Sequence, residues 1–403
     1  MKNKKTRFIA FYLPQYHRIP ENDKWWGKGF TDWMNVKKAK PLFKDHYQPR
    51  VPLNDNYYNL LNKKTLIWQA DLAKKYGIYG FCFYHYWFTG KKLLEKPAEL
   101  FLKSKDIDIP FCFSWANHHW NKGWDGQENE ILIKQEYGDE KDWNKHFNYL
   151  LDFFKDKRYI KIDNRPIIVI YESYSIKNID KWIGLWDKLA KKNGFDGIYF
   201  IENFNGRQGK TFSNLSKGVI EFEPTHEIFL SSSNVKYLIS QKSPLIFRIT
   251  FFIKKIVLKF IPVHKIPYFD RIYSLKRYLD KKINSLFLSS NRIENKIDYD
   301  LVWKNIINRK RSIKGKKPYL GAFIDWDNTP RKKRLGLVFN GATPHKFREY
   351  LAIQLNKAKK YNSEFIFINA WNEWAEGAYL EPDKKWGYGY LEAIRDVESS
   401  KDN

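Results

Sequence analysis

The sequence predicts an α/β fold, a (β/α)8 TIM barrel with a basic helical insertion between strands 6 and 7. Three observations carry that reading. Eight short segments rich in Ile, Val, Phe and Tyr recur along the 403 residues. Most of them are separated by stretches with helical periodicity. The strands are apolar along nearly their whole length, which implies a parallel sheet covered on both faces. An open doubly wound sheet is the competing arrangement, but no glycine-rich phosphate loop follows any strand, so the usual ligand of that fold has no cradle.

Taken in order, the first strand is RFIAFYLP from Arg7, followed by the helical pattern LLNKKTLIWQADLAKKYG. IYGFCFYHYW from Ile78 is the second strand, with LLEKPAELFLKSK after it. IPFCFSWAN from Ile109 precedes DWNKHFNYLLDFFKD, and RPIIVIYES from Arg165 precedes IDKWIGLWDKLAKKNG. The fifth and sixth strands are GIYFIENF from Gly197 and GVIEFEP from Gly218. YLGAFIDWDN from Tyr319 is the seventh, PHKFREYLAIQLNKAKKY the helix behind it, and EFIFINAWNEW from Glu364 the eighth strand. Several helical patterns end in lysines, as the negative end of a helix dipole favours, and two then meet a capping glycine, Gly77 and Gly194.

The formal net charge is +27, and from Phe229 to Pro318 there are 21 Lys and Arg against 5 Asp and Glu. Residues 1–403 therefore read as one barrel with a basic insertion over 229–318. Within it, SPLIFRITFFIKKIVLKFIPVHKI is too charged to span a bilayer but suits lying on an anionic membrane surface; the alternative is a basic helical layer over the barrel. Nucleic-acid binding fits the charge, yet no recognised module appears and the excess is confined to one segment. The start of the chain has no secretory pattern, and Cys82 and Cys112 sit inside apolar strands as free buried thiols, so the chain reads as cytoplasmic, with the inner face of the membrane as the surface the insertion would touch.

Each strand ends in polar or aromatic residues, and in a barrel these ends converge on the catalytic face. Glu373 and Glu376, in NAWNEWAEG, stand three residues apart just past the last strand, so their carboxylates share one side of a turn. Retaining glycosidases hold two carboxyls about 5 to 5.5 Å apart, against about 6.5 to 9.5 Å for inverting ones, so the spacing favours retention. Mutual repulsion and desolvation by the flanking Trp371 and Trp374 would keep one carboxyl protonated as an acid.

Rings with one polar edge suit sugars, which stack on C–H faces and hydrogen-bond through hydroxyls. Tyr16, His17, Trp26, Tyr84, His85 and Trp120 lie on or just after the first three strands, and Asn117, Glu172, Asp327 and Asn372 at strand ends offer the polar contacts. The adjacent His118 and His119 do not face one ion from a strand and lack a third ligand at metal spacing, so no metal and no cofactor is expected.

The strings FYLPQYH, NDKWWGKGFTDW, KPLFKDHYQPR, QADLAKKYGIYGFCFYHYWF, WDGQENEIL, WDNTPR and INAWNEWAEGAYLEP resemble the WbsX-like family of bacterial polysaccharide-biosynthesis proteins. That family is similar to glycoside hydrolase family 99, the endo-α-mannosidases and mannanases. The resemblance implies a (β/α)8 barrel acting with retention on an oligosaccharide or polysaccharide of the O-antigen or capsule type. It implies Glu373 as the base on the sugar's own 2-hydroxyl, giving a 1,2-anhydro intermediate, and Glu376 as the acid on the departing oxygen. The segment expected as WANENW reads WANHHW here, with His118 where a carboxylate often stands. A sugar-nucleotide-dependent glycosyltransferase and a non-catalytic glycan-binding protein stand as the alternatives.

Overall fold

The structure is a computed structural model, and it describes residues 5–122, 130–206, 212–232, 296–310, 313 and 315–400. The eight predicted strands are present: β1 (Arg7–Tyr12), β2 (Ile78–Phe88), β3 (Phe111–Trp115), β4 (Arg165–Ile170), β5 (Tyr199–Phe204), β6 (Gly218–Glu221), β7 (Lys317–Phe323) and β8 (Phe365–Asn369). Each pairs in parallel with the next, and β1 pairs with β8, which closes the barrel.

Around the barrel lie α1 (Pro20–Trp26), α2 (Trp33–Lys38), α3 (Lys63–Lys75), α4 (Lys96–Lys103), α5 (Glu140–Lys155), α6 (Ile179–Lys192), α7 (Thr225–Ser232), α8 (Tyr299–Asn308), α9 (Thr329–Lys332), α10 (Pro344–Lys360) and α11 (Gly389–Ser399). The five helical patterns of the sequence correspond to α3, α4, α5, α6 and α10. α10 shows why they form. Its Thr343 hydroxyl accepts from the Lys346 N–H at 3.3 Å, Pro344 opens the first turn, and Phe347, Leu351, Gln354, Leu355 and Ala358 make one buried face. Among the described residues no helix lies between β5 and β6.

Most of the aromatic excess goes into packing. Inside the barrel Phe11 stands 5.6 Å from Tyr84, 5.2 Å from Phe222 and 5.7 Å from Phe367, each buried ring of this kind contributing about 1.5–3 kcal/mol. Outside it, Trp182 and Trp186 of α6 are 4.7 Å apart and Trp182 lies 5.1 Å from Phe200 on β5, while Trp303 of α8 stacks 5.0 Å from Phe323. At Gly321 in β7 any Cβ would come 1.9 Å from the Glu221 carbonyl oxygen, so only glycine permits that approach to β6. Cys82 and Cys112 are register partners on β2 and β3, buried and free.

Residues 233–295, which hold SPLIFRITFFIKKIVLKFIPVHKI and the expected membrane contact, lie outside the described residues. The described ends of the 229–318 segment belong to the barrel itself. Phe229 and Leu230 fall in α7, α8 packs on β7, and Lys317 and Pro318 begin β7. Among the described residues no helix is long and apolar enough to cross a membrane.

Candidate active site

The segment after β8 is held by a sequence of side chains that join it to the end of β1. The Trp371 N–H donates to the Phe11 carbonyl at 2.7 Å. The Asn372 side-chain amide then acts as a further rung: its Oδ1 accepts from the Leu13 N–H at 2.7 Å and its Nδ2 donates to the Leu13 carbonyl at 3.1 Å. The Tyr16 hydroxyl donates to the Asn372 carbonyl at 2.6 Å and accepts from the Trp374 N–H at 3.2 Å. A 3-10 turn over Trp374–Glu376 follows and ends at Gly377, whose φ of 66° is left-handed. The Asp327 N–H donates to the Glu376 carbonyl at 2.7 Å, and a Cβ on Gly377 would sit 2.9 Å from that same nitrogen. The turn bearing both glutamates is thus clamped between the loops after β1 and β7.

Glu381 anchors the turn from behind. It accepts from Tyr58 Oη at 2.7 Å, Gln69 Nε2 at 2.6 Å, Trp371 Nε1 at 3.0 Å and Trp374 Nε1 at 2.7 Å. Burial pushes its carboxyl up to about 7 against the pull of those four donors.

Glu373 and Glu376 both line a cavity of about 620 Å³ at the C-terminal mouth of the barrel. Between them stands Arg331, on α9 after β7. Its Nη1 is 2.6 Å from Glu376 Oε1, and its Nη2 is 3.4 Å from Glu373 Oε2 and 2.7 Å from Asp32 Oδ2. One guanidinium therefore serves three carboxylates, as its planar fork allows. The Glu373 side chain is 10% exposed and that of Glu376 24%. Burial, and next the charge of Glu376, push Glu373 up to about 8, while Arg331 pulls it down, so Glu373 is largely protonated at neutral pH. Burial first, and the Glu373 carboxylate once it ionises, raise the Tyr84 hydroxyl well above its usual value.

Of the residues the sequence singles out, Tyr84, His118, Glu172, Glu373 and Glu376 line this cavity, with Tyr86, Tyr171 and Trp326 among its aromatic walls. The others stand elsewhere. Tyr16, Trp371, Asn372 and Trp374 form the support just described, and the two indoles turn toward Glu381 instead of shielding the cavity. Asn117 holds the backbone of Glu172, accepting from its N–H at 2.8 Å and donating to its carbonyl at 2.9 Å. Asp327 is buried against His46 at 2.8 Å and Gln48 at 2.7 Å. His85 faces outward between β2 and α5, its Nε2 2.8 Å from that of His146. His17 is fully buried, and burial lowers its imidazole to about 4. Trp120 packs edge-on to Tyr86 at 5.1 Å and to Trp25 at 5.8 Å. Trp26 lines a neighbouring groove.

The expected convergence of all eight strand ends on one pocket needs correction. Glu202 accepts from the Ser213 N–H at 2.9 Å, Glu223 pairs with Arg309 at 2.6 Å, and Asp325 pairs with Arg50 at 2.7 Å. Successive strand residues point to opposite sides, and these carboxylates meet buried partners before they reach the mouth. Among the described residues one set, Glu221, Glu223 and His226, has the proximity of metal ligands. Arg309 Nη1 lies 2.6 Å from Glu223 and 2.8 Å from His226 Nδ1, so a guanidinium occupies the centre where a cation would sit.

Arg331, Asp32 and Glu381 escape a reading by residue type and spacing, although WDNTPR carries Arg331 and AYLEP carries Glu381.

A model of the family described as Glycosyltransferase WbsX matches residues 8–394. The protein WxcX of Xanthomonas campestris pv. campestris strain B100 is 30% identical over 394 residues, which is 96% of this chain and 49% of that protein, and its counterpart in strain ATCC 33913 matches equally. The chain thus spans about half the length of these curated relatives. Among solved structures, a glycoside hydrolase-like protein aligns at TM-score 0.54 with 12% identity, covering 98% of this chain and 95% of the other, a likeness of fold. The GH99 endo-alpha-mannosidase of Bacteroides thetaiotaomicron aligns at TM-score 0.49, also with 12% identity, over 99% and 98% of the two chains.

Proposed function

The chain belongs to the WbsX glycosyltransferase family, and on that premise we propose that it is a carbohydrate-active enzyme of bacterial surface polysaccharide metabolism that cleaves or transfers a glycosyl unit with retention. The observation that carries this reading is the pair Glu373 and Glu376 on one cavity wall, joined through Arg331.

Glu373 takes the proton of the sugar's 2-hydroxyl as that oxygen closes on C1, and Glu376 gives its proton to the glycosidic oxygen as the C1–O bond breaks. The 1,2-anhydro sugar then opens when water or an acceptor hydroxyl adds at C1, passing its proton to Glu376, while Glu373 returns a proton to O2. Two inversions give retention without a covalent glycosyl-enzyme. A base raised to about 8 is strong enough to help a hydroxyl lose its proton. The reactive form needs that proton on Glu376 instead, so the pair must exchange it as the sugar displaces Arg331 from the carboxylates.

The test compares Glu376→Gln and Glu373→Gln on α-mannosides with good and poor leaving groups. Loss confined to the poor leaving groups is expected for Glu376→Gln and loss on both for Glu373→Gln. The inverse pattern exchanges the two roles, and equal residual rates on both substrate types refute an acid role for Glu376. The family's description also favours a second reading, a sugar-nucleotide-dependent transferase. Calorimetry with UDP, GDP and CMP compounds decides it, and absence of binding by all three removes it.

A further inference from the structure

Beside the catalytic cavity runs a second groove of about 700 Å³, between α2 with the segment after it and the loop following α9. The two share Arg331, Lys332 and Leu335, so they are neighbours across these residues. The residues lining the groove include Lys38, Lys40, Arg331, Lys332, Lys333 and Arg334 and no Asp or Glu. Lys38, Lys40, Lys332 and Lys333 are exposed and make no ion pair with a described residue. These four lysines, gathered in one groove, raise the local positive potential and repel one another, a cost that an anion lying among them removes. The groove also offers rings, Trp26 and Phe30, with centroids 5.9 Å apart. Cations around aromatic faces match a sugar that carries a negative substituent, the ring stacking and the charge pairing.

The place of the groove gives its role. It adjoins the catalytic cavity at Arg331, whose Nη1 touches Glu376, the more exposed of the two glutamates. A glycan unit there stands on the side where Glu376 meets the departing oxygen. We propose that this groove is the leaving-group subsite and takes an anionic glycan, its charge borne by a phosphate ester or a uronate carboxylate. The inference rests on the catalytic reading above for the words "leaving-group"; the anion preference does not. It also supplies what that reading needs, since an anion that engages Arg331 competes with Glu376 for the guanidinium and frees the carboxyl to carry a proton.

The experiment measures binding by calorimetry to the full chain bearing Glu376→Gln, so that turnover does not intrude. The probes are neutral mannotriose, a singly phosphorylated mannotriose, a mannuronate trimer and a single-stranded oligonucleotide. Each anionic sugar is expected to bind about tenfold more tightly than the neutral one, and Lys332→Gln with Lys333→Gln to remove that preference. Lys191→Gln with Lys192→Gln, exposed on α6, is the charge-matched control expected to leave it intact. If the double variant fails to fold, either single lysine variant reads the same loss in part. Equal affinity for neutral and anionic sugars, no binding of any sugar, equal losses in both double variants, or an oligonucleotide that outcompetes the glycans would each overturn the proposal. The phosphate and uronate arms distinguish the two sources of charge. Anion preference without cleavage or transfer of any glycosyl unit would sink the catalytic reading alone, and turnover with no anion preference would sink the groove alone.

Discussion

Replacing Glu373 by Gln removes one ionisation from the barrel mouth, and the stability of the protein should report it. The carboxyl stands at about 8 in the folded chain against a reference of 4.5. A raised carboxyl pKa stabilises the fold while the group is protonated. The contribution is fully present below the reference value and is lost as pH rises through the folded one. Integrated between pH 6 and pH 9, the loss is about 3 kcal/mol. With an unfolding entropy of about 2.1 cal/mol/K per residue over a chain of this length, that corresponds to about 3 °C in Tm. Glutamine cannot ionise. The wild-type Tm should therefore fall by about 3 °C more than that of Glu373→Gln between those pH values, read by differential scanning calorimetry at constant ionic strength. Glu381, which titrates in the same range, is present in both proteins and cancels from the difference. Identical pH slopes for the two proteins would refute the reasoning, because Glu373 would then be ionised and well solvated in the fold.

Two further outcomes follow from the same geometry. Arg331→Gln leaves Asp32, Glu373 and Glu376 without their shared cation and should cost about 3–5 kcal/mol of stability, seen as a lower urea midpoint at unchanged slope, with activity lost as well. Glu381→Gln turns one acceptor oxygen into an amide facing a donor, so it should cost about 1–3 kcal/mol; an unchanged Tm would mean that Glu381 is a neutral acid at the assay pH.

The barrel was legible because its signals are local and repeated. Segments such as RPIIVIYES and GVIEFEP need only composition and boundaries to be recognised, and α10 carries its cap, its opening proline and its apolar face in consecutive residues. The glutamate pair was legible because both members lie on one turn. What was not legible was which polar side chains face one another. Asp325 and Asp327 follow one strand as Glu373 follows another, yet Arg50, His46 and Gln48 arrive from the loops after β1 and take them out of the cavity. Trp371 and Trp374 flank Glu373 in sequence, but Glu381 draws both indoles away from it. Arg331 has no periodicity or spacing that marks it; its importance comes from Asp32, 299 positions earlier in the chain.

The rung formed by Asn372 and Leu13 has a consequence for synthesis and assembly. It unites positions 359 apart in the chain, at the seam where the first and last barrel strands meet. Contacts of such separation form late, after the loop between them has been closed at an entropic cost. A nascent chain still lacking its last strand also lacks the turn that bears Glu373 and Glu376, so the cavity wall they form is completed only when the ring closes.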